Sequence, residues 1–370
     1  MNFDDEFDFD TFDDDDILLR ATIAPNPDDV FDMLTLMHLE AGRIRERDLD
    51  SLTWDNLPQM PEDANDRDRA LWLAIQAYEL CFEDPELSAD LAEEAMACDA
   101  TCIDAYIARW FTMDIEHHEA AVMAARGAVF GQQLVDSTKS VREHADVWMY
   151  PRIRGAVRAF AALALTNWAQ GNRDDAIAAA EHVLKLAPYD EVGMTPHLAN
   201  WYLATKQNKR AHRLLREYEE DFVAPVGYAR ALVAFVREGR EKARPLLLSA
   251  AEQHPLILSQ MKLSADGELE STGLPFPAHY YVAFSVEEAL VWHPPIEDTW
   301  RSVEGAFEWA TNCADEPEFH SHLQAGALKA VEELRDFAEL TGDDNLASLL
   351  EEIDLDDDED SNHGPELRLL

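Results

Sequence analysis

Apolar residues recur three and four positions apart along most of the chain, which is the spacing of helices that bury one side. The stretch DDVFDMLTLMHLEAGRIRER opens with Asp28 and Asp29, which suit a helix cap and first turn. It then places four apolar residues along one side: Val30, Phe31, Leu34 and Met37. No segment alternates β-branched and polar residues between turn signals, as strands do. The pattern predicts an all-α protein.

Small residues recur in the middle of the chain at a fixed interval. Ala164 lies twelve positions before Ala176, and Pro188 follows twelve positions later. The same interval joins Ala108 to Ala120, Ala199 to Ala211, and Ala231 to Ala243, and Pro255 follows the last pair. A looser version passes through Ser88 and Ala95. The starts at Ala164, Ala199 and Ala231 lie about 32 to 35 residues apart, the period of the helix–turn–helix tetratricopeptide repeat.

The spacing has a physical reason in a pair of packed helices. Small residues allow two helix backbones to approach closely, and a bulky side chain there would cost about 1–3 kcal/mol. Phe160 and Trp72, each four positions before a first small position, can fill the gap to a neighbouring helix. Asp104 stands at the same position of another unit and cannot fill it, so that unit is expected to be imperfect.

Turn residues separate the two halves of each unit. The turns read GNRDD, TKQNKR and EGREK, where Gly or Asn is expected to take the left-handed conformation that ends a helix. Proline at Pro188 and Pro255 then stops the second helix. The fold class predicted is an α-solenoid of stacked helical hairpins, a superhelix like that of tetratricopeptide proteins.

Composition shifts along the chain divide it into five segments. Residues 1–16 and 354–370 are acidic low-complexity tails, which we expect to be disordered. Residues 17–66 form an N-terminal helical segment and linker, residues 67–256 the repeats, and residues 257–353 a helical cap. The four phenylalanines of the first tail, Phe3, Phe7, Phe9 and Phe12, either dock into a groove or belong to a solubilising tail.

The chain is strongly acidic, with 75 Asp and Glu against 30 Lys and Arg and a net charge of −45. Such a charge disfavours nucleic-acid binding and docking on anionic membranes. It indicates either a solvated surface or a face for a basic partner, and an imitation of nucleic acid stays open as a third interpretation. The four cysteines form no disulfide framework, and no apolar stretch is long enough to span a bilayer. We therefore expect a cytoplasmic protein.

Candidate metal and catalytic motifs are weak. The tetrad EHHE at residues 116–119 and the run EFHSH at 318–322 space their histidines one and two apart, whereas ligand pairs on a helix need three or four. Cys98 and Cys102 have the right interval but no second ligand pair, so they are interpreted as small packing residues. Phosphate-loop, Rossmann and nucleophile-elbow motifs are absent from the sequence. We expect no enzyme activity, no cofactor and no metal.

Two clusters of basic residues stand out in so acidic a chain. They are Arg152, Arg154 and Arg158, and a second group of Lys206, Lys209, Arg210, Arg213 and Arg216. Either these side chains clamp the carboxylates of a partner, or they form local salt bridges with the surrounding Glu and Asp. The candidate partner-binding residues are Arg152, Arg154, Arg158, Lys209, Arg210 and Arg213.

Four features between about residue 145 and residue 310 form a further pattern: the run YPRIRGAV, the set Leu186, Pro188, Asp190 and Gly193, and the runs YARALVAFVREG and EEALVWHPPIEDTWRSVEGAFEWA. With these features the segment resembles bacterial tetratricopeptide proteins related to the suppression-of-tumorigenicity seven family. It implies an all-helical interaction protein and supplies no catalytic residues.

The predicted function is a non-enzymatic scaffold that binds a protein or peptide partner in the groove of the solenoid. The alternative is an enzyme or small-ligand-binding protein whose pocket lies in the aromatic C-terminal region. Its candidate lining residues are Tyr280, Tyr281, Trp292, Trp300 and Trp309, which instead serve as a solenoid cap if they pack on the last repeat.

Overall fold

The computed structural model describes residue 23 and residues 25–138, 146–267 and 285–341. Within these residues every regular element is helical, with fifteen α-helices, two short 3-10 helices and no strand. The prediction of an all-α protein is confirmed. The acidic tails at 1–16 and 354–370 lie outside the described residues. Among the described helices, none combines the length and the apolar character that crossing a membrane requires.

The described chain divides into two compact units, one up to Met194 and one from Thr195 onward. Unit 1 contains α1 Pro27–Glu40, α2 Asp66–Leu80, α3 Pro85–Cys98, α4 Ile103–Phe111, α5 His118–Ser137, α6 Pro151–Ala169 and α7 Arg173–Leu186. Unit 2 contains α8 Met194–Ala204, of which Met194 itself belongs to unit 1, followed by α9 Asn208–Glu217, α10 Ala224–Glu238, α11 Arg240–Gln253, α12 Pro255–Asp266, α13 Val286–Arg301, α14 Ala306–Ala314 and α15 Pro317–Thr341. The short 3-10 helices Glu46–Ser51 and Trp54–Asn56 lie between α1 and α2.

In unit 1, consecutive helices pack in pairs: α2 with α3, α4 with α5, and α6 with α7. The first helices of these pairs also meet, because α4 packs against both α2 and α6. The N-terminal helix α1 packs against α6 and α2, although α6 follows it by more than a hundred residues. The helices α2, α4 and α6 therefore lie side by side, and α1 packs on the outer two, α2 and α6.

The predicted small positions of unit 1 lie in its interior. The side chains of Ala108, Ala120, Ala164 and Ala176 have no exposed surface. The second helix of one pair also touches the first helix of the next, since α5 packs against α6. A Cβ atom added at Gly131 in α5 would lie 2.8 Å from the Cβ of Ala156 in α6, so these two helices meet backbone to backbone.

The residues predicted to flank the small positions have different surroundings. Phe160 is half-buried, and its ring lies 4.4 Å from that of His182, centroid to centroid. Pro188 follows the end of α7 at Leu186, and Pro255 is the first residue of α12 in unit 2. Both prolines thus stand just beyond the preceding helix.

In unit 2, α10 packs against α9, α11 and α13, and α12 packs against α11, α13, α14 and α15. The small residues Ala199, Ala211, Ala231 and Ala243 again have no exposed surface.

Two of the three turns follow the expected chemistry. Gly171 and Gly239 have φ angles of 78° and 88°, which glycine adopts without strain. In the turn TKQNKR, however, the positive φ belongs to Lys206 rather than to an asparagine. Asn208 instead begins α9.

The aromatic residues of the C-terminal region pack as core. Trp292 and Trp300 are fully buried, and the ring of Trp309 stacks on Trp300 with centroids 6.3 Å apart. Tyr280 and Tyr281 lie outside the described residues. Unit 2 contains a cavity of about 350 Å³ beside His254 and Glu288, and none of the three tryptophans lines it. These tryptophans stabilise unit 2 rather than face that space.

A buried histidine makes the stability of unit 2 sensitive to pH. His197 packs against Trp201 and Trp292, and burial lowers its pKa to about 3 from 6.5. The unfolded chain therefore binds a proton near pH 6.5 that the folded chain binds only near pH 3. Between these values protons favour unfolding, so stability is full above pH 6.5 and decreases by up to about 1.4 kcal/mol per pH unit on acidification.

We expect the His197→Gln variant to lose less stability than the wild type when the pH is lowered from about 7 to about 5. Urea unfolding at the two pH values measures the difference, and comparison with the wild type removes the effect of the other titrating groups. Identical losses in both chains would contradict this assignment.

Candidate functional site

The structure separates the six candidate partner-binding residues into two groups. Arg152, Arg154 and Arg158 lie on α6 in unit 1. Lys209, Arg210 and Arg213 lie on α9 in unit 2. Each group is described separately.

The α6 arginines contact α1, whose sequence favours a helix with two different sides. The side chain of Asn26 accepts a hydrogen bond from the Asp29 amide at 2.8 Å, and Asp29 reciprocates in a capping box. Four apolar residues of α1 form one cluster with α2: Val30, Met33, Leu34 and Met37 with Ile75, and with Leu71 and Trp72 partly buried against them. The apolar side of α1 thus lies on α2.

The acidic residues of α1 bind the arginines of α6. Arg154 Nη1 donates to Asp29 Oδ1 at 3.0 Å and to Asp32 Oδ2 at 2.8 Å. Arg158 Nη2 donates to Asp29 Oδ2 at 2.7 Å, and Arg152 pairs with Glu40 at the other end of α1. All three predicted arginines therefore bind carboxylates, but those of a helix of the same chain that is distant in sequence. Salt bridging with surrounding acidic residues, the alternative interpretation, therefore describes this group.

The centre of this contact is a buried charge. The side chain of Arg158 has no exposed surface, and its Nε and Nη1 atoms have no hydrogen-bond partner in the structure. Trp148 covers the group, with its ring centroid 5.4 Å from the Arg154 guanidinium carbon and 5.0 Å from that of Arg158. A buried cation is strongly destabilising without an anion, so Asp29 is the residue on which this contact depends.

Asp104, which is expected to leave its unit imperfect, belongs to the same buried region. It is 8% exposed and accepts a hydrogen bond from the Tyr78 hydroxyl at 3.3 Å. Burial raises the pKa of Asp104, and the positive charge of Arg158 opposes that rise. Gly155 leaves room for its carboxylate, because a Cβ atom there would lie 2.8 Å from Asp104 Oδ2. The aspartate thus faces an arginine of α6 instead of filling a gap.

Space remains beside α1. A cavity of about 470 Å³ is bounded by α1, α2, α4, α5 and α6. Its wall includes apolar and polar side chains, among them Met33, Leu71, Cys102, Leu134 and Arg152. The helix α1 therefore covers the surface of α2, α4 and α6 without filling it.

The second group, on α9, is arranged differently. Lys209, Arg213 and Arg216, with Lys206 just before the helix, are exposed and take part in no ion pair or side-chain hydrogen bond within the described parts of the chain. Arg210 is held in place, because its guanidinium lies over the Tyr202 ring and donates to Gln207 Oε1 at 2.7 Å. Within the described residues, none of the four exposed cations shows the pairing with surrounding acidic residues that the alternative interpretation expects.

One residue of the weak metal motifs, His117, has a structural role. His117 caps α5 through its Nδ1 atom, which accepts from the Glu119 amide at 3.3 Å. Burial raises the pKa of the Cys102 thiol to about 12, and the nearby Asp104 carboxylate adds to this. Within the described residues, no three His, Cys, Asp or Glu side chains are grouped so that they could hold a metal ion.

Comparison of the chain with protein-family models, with curated proteins and with solved structures finds no match. The resemblance to tetratricopeptide proteins related to the suppression-of-tumorigenicity seven family therefore stays a prediction from the sequence motifs.

Proposed function

We propose that this chain is a non-enzymatic scaffold of stacked tetratricopeptide-like hairpins that binds a segment of a partner protein. One observation carries the proposal: the surface of α2 and α6 already holds a helix, α1, by an apolar stripe and by carboxylates. Helical-hairpin proteins use such surfaces to hold amphipathic helices and peptides. The partner segment is then an amphipathic helix that replaces α1.

The way in which α1 is attached supports replacement. Residues 41–65, which join α1 to α2, contain only two short 3-10 helices. The contact with α6 is made by charged groups, and two nitrogens of Arg158 have no hydrogen-bond partner. Such a contact is weaker than an apolar core of the same size. The cavity of about 470 Å³ beside α1 leaves room for larger side chains.

The surface also defines the chemistry of the partner helix. It needs carboxylates in the first turn for Arg154 and Arg158, since Asp29 and Asp32 supply these in α1. It also needs apolar residues at the spacing of Val30, Met33, Leu34 and Met37 to cover α2. We place this binding in the cytoplasm, on the ground that no disulfide joins the four cysteines, all of which lie in the described part of the chain.

The proposal is tested with a fluorescent peptide of residues 25–41 added to the full chain. We expect it to bind a chain carrying Asp29→Ala and Asp32→Ala at least about tenfold more tightly than the wild type. In the wild type the peptide competes with a tethered α1 at an effective concentration of about millimolar.

A control peptide carries the same two alanine replacements and should bind neither chain, because it lacks the carboxylates for Arg154 and Arg158. Absence of binding by the acidic peptide to either chain, up to about millimolar concentration, would reject an exchangeable helix site.

A further inference from the structure

We propose a second interaction surface, on unit 2, that binds a short acidic segment of a partner protein. The surface is the α9 basic face, which consists of Lys206, Lys209, Arg213 and Arg216. The proposal shares with the proposed function the idea of a scaffold, but it depends on different residues and does not involve α1.

The four side chains of the α9 basic face project together. Lys209, Arg213 and Arg216 are four and three positions apart, which places them on one side of α9. They span about 10 Å along the helix, and Lys206 extends the row beyond its N-terminal end. Leu214, Leu215 and Ala211 are buried on the opposite side of the same helix. The sequence of α9 thus fixes a basic outer side and an apolar inner side.

The four cations stand together in a strongly acidic chain. The sequence has 75 acidic residues against 30 basic ones, and part of its basic residues form ion pairs. Ion pairs elsewhere involve Arg43, Arg69, Arg109, Arg154, Arg158, Arg244, Lys262, Arg301 and Lys329. Acidic residues do stand at the end of the helix and just after it, at Glu217, Glu219 and Glu220, yet none pairs with the α9 basic face within the described residues.

The positive charge of this region acts on His212, a neighbouring residue of α9. Burial and the neighbouring guanidinium groups of Arg237 and Arg216 lower the pKa of His212, and the carboxylate of Glu238 only partly opposes them. The Arg210 guanidinium, stacked on Tyr202, adds a fixed charge at the same helix. The face therefore attracts anions although the chain as a whole repels them.

The length of the face and the net charge of the chain together favour a short acidic peptide over a long polyanion. A length of about 10 Å matches three or four extended residues, so a short run of Asp or Glu can contact Lys209, Arg213 and Arg216 together. A long polyanion such as nucleic acid would also meet other parts of the chain, whose net charge as a whole is −45. A short acidic run feels mainly the local charge, because salt screens the remainder beyond about 8–10 Å.

The test uses the full chain and a fluorescein-labelled hexaglutamate peptide, with binding followed by fluorescence anisotropy at about 50 mM and 500 mM salt. We expect Lys209→Glu with Arg213→Glu to weaken binding at least about tenfold, and high salt to weaken wild-type binding similarly. The matched control, Arg126→Glu with Lys185→Glu, makes the same change in net charge at exposed residues of unit 1 and should alter binding less than about twofold.

Three results would overturn the proposal. One is equal weakening by both pairs of substitutions, which would assign the effect to net charge alone. Another is equally tight binding of a single-stranded oligonucleotide of the same charge, which would indicate a general anion site. The third is a carbodiimide cross-link, in the chain alone, from Lys206 or Lys209 to a carboxylate of residues 1–16 or 354–370, which would identify the chain's own tails as the occupant.

A fourth measurement separates this proposal from the previous one. The variant with Lys209→Glu and Arg213→Glu should bind the peptide of residues 25–41 as the wild type does, because that peptide binds unit 1. Loss of hexaglutamate binding together with intact binding of this helix peptide assigns the two surfaces to different ligands.

Discussion

The Asp29→Ala variant is expected to release α1 from α6. Asp29 supplies the carboxylate for the fully buried Arg158 and one of the two for Arg154. Leaving a buried charge without its partner costs about 3–5 kcal/mol, whereas release of α1 lets water reach both arginines. Release also exposes the connection between α1 and α2. Trypsin cleavage after Arg43 or Arg45 should therefore accelerate by about 100-fold or more.

The control for this prediction is Asp32→Ala, which removes the same charge from the same helix. Asp32 also accepts from Arg154, but its side chain is 48% exposed, so its loss should cost less than about 1 kcal/mol. Cleavage of this variant should resemble that of the wild type. Equal acceleration by both substitutions would show that total charge, rather than the buried pair, holds α1.

The Gly131→Ala variant is expected to destabilise unit 1 by about 1–3 kcal/mol, although alanine favours a helix more than glycine does. The added methyl group would lie 2.8 Å from the Cβ and 2.9 Å from the Cα of Ala156, and neither atom can move without shifting α6. Urea unfolding of the full chain, followed by circular dichroism, measures the change.

Gly227→Ala in α10 is the matched control, because its nearest neighbour, the Cβ of Ala250, would be at an ordinary 3.5 Å. There the helix preference of alanine should dominate and stabilise the chain by up to about 1 kcal/mol. A stabilising Gly131→Ala would contradict the close contact of α5 and α6.

The helices and the buried small residues could be predicted because both depend on local spacing. A period of three to four residues determines which side of a helix is apolar, and Ala164 and Ala176 are buried as expected of such positions. Turn chemistry was a weaker guide. Lys206 takes the positive φ, whereas the asparagine two positions later, Asn208, begins α9.

The site was less predictable, because it depends on pairs of residues far apart in sequence. Asp29 and Arg158 are separated by 129 positions, and no periodicity relates them. The available signal was charge: acidic residues at the start of α1 and three arginines in α6. Asp104 illustrates the same limit, since a carboxylate at a packing position looks like a defect until its arginine is known.

The claim that α1 is an exchangeable occupant of unit 1 is tested most directly by amide hydrogen exchange of the wild-type chain. If α1 opens separately, its amides should exchange at least about tenfold faster than the buried amides of α6, while α6 stays protected. If α1 and α6 exchange at the same rate, only by unfolding of all of unit 1, then α1 is a permanent part of the core and the claim is wrong.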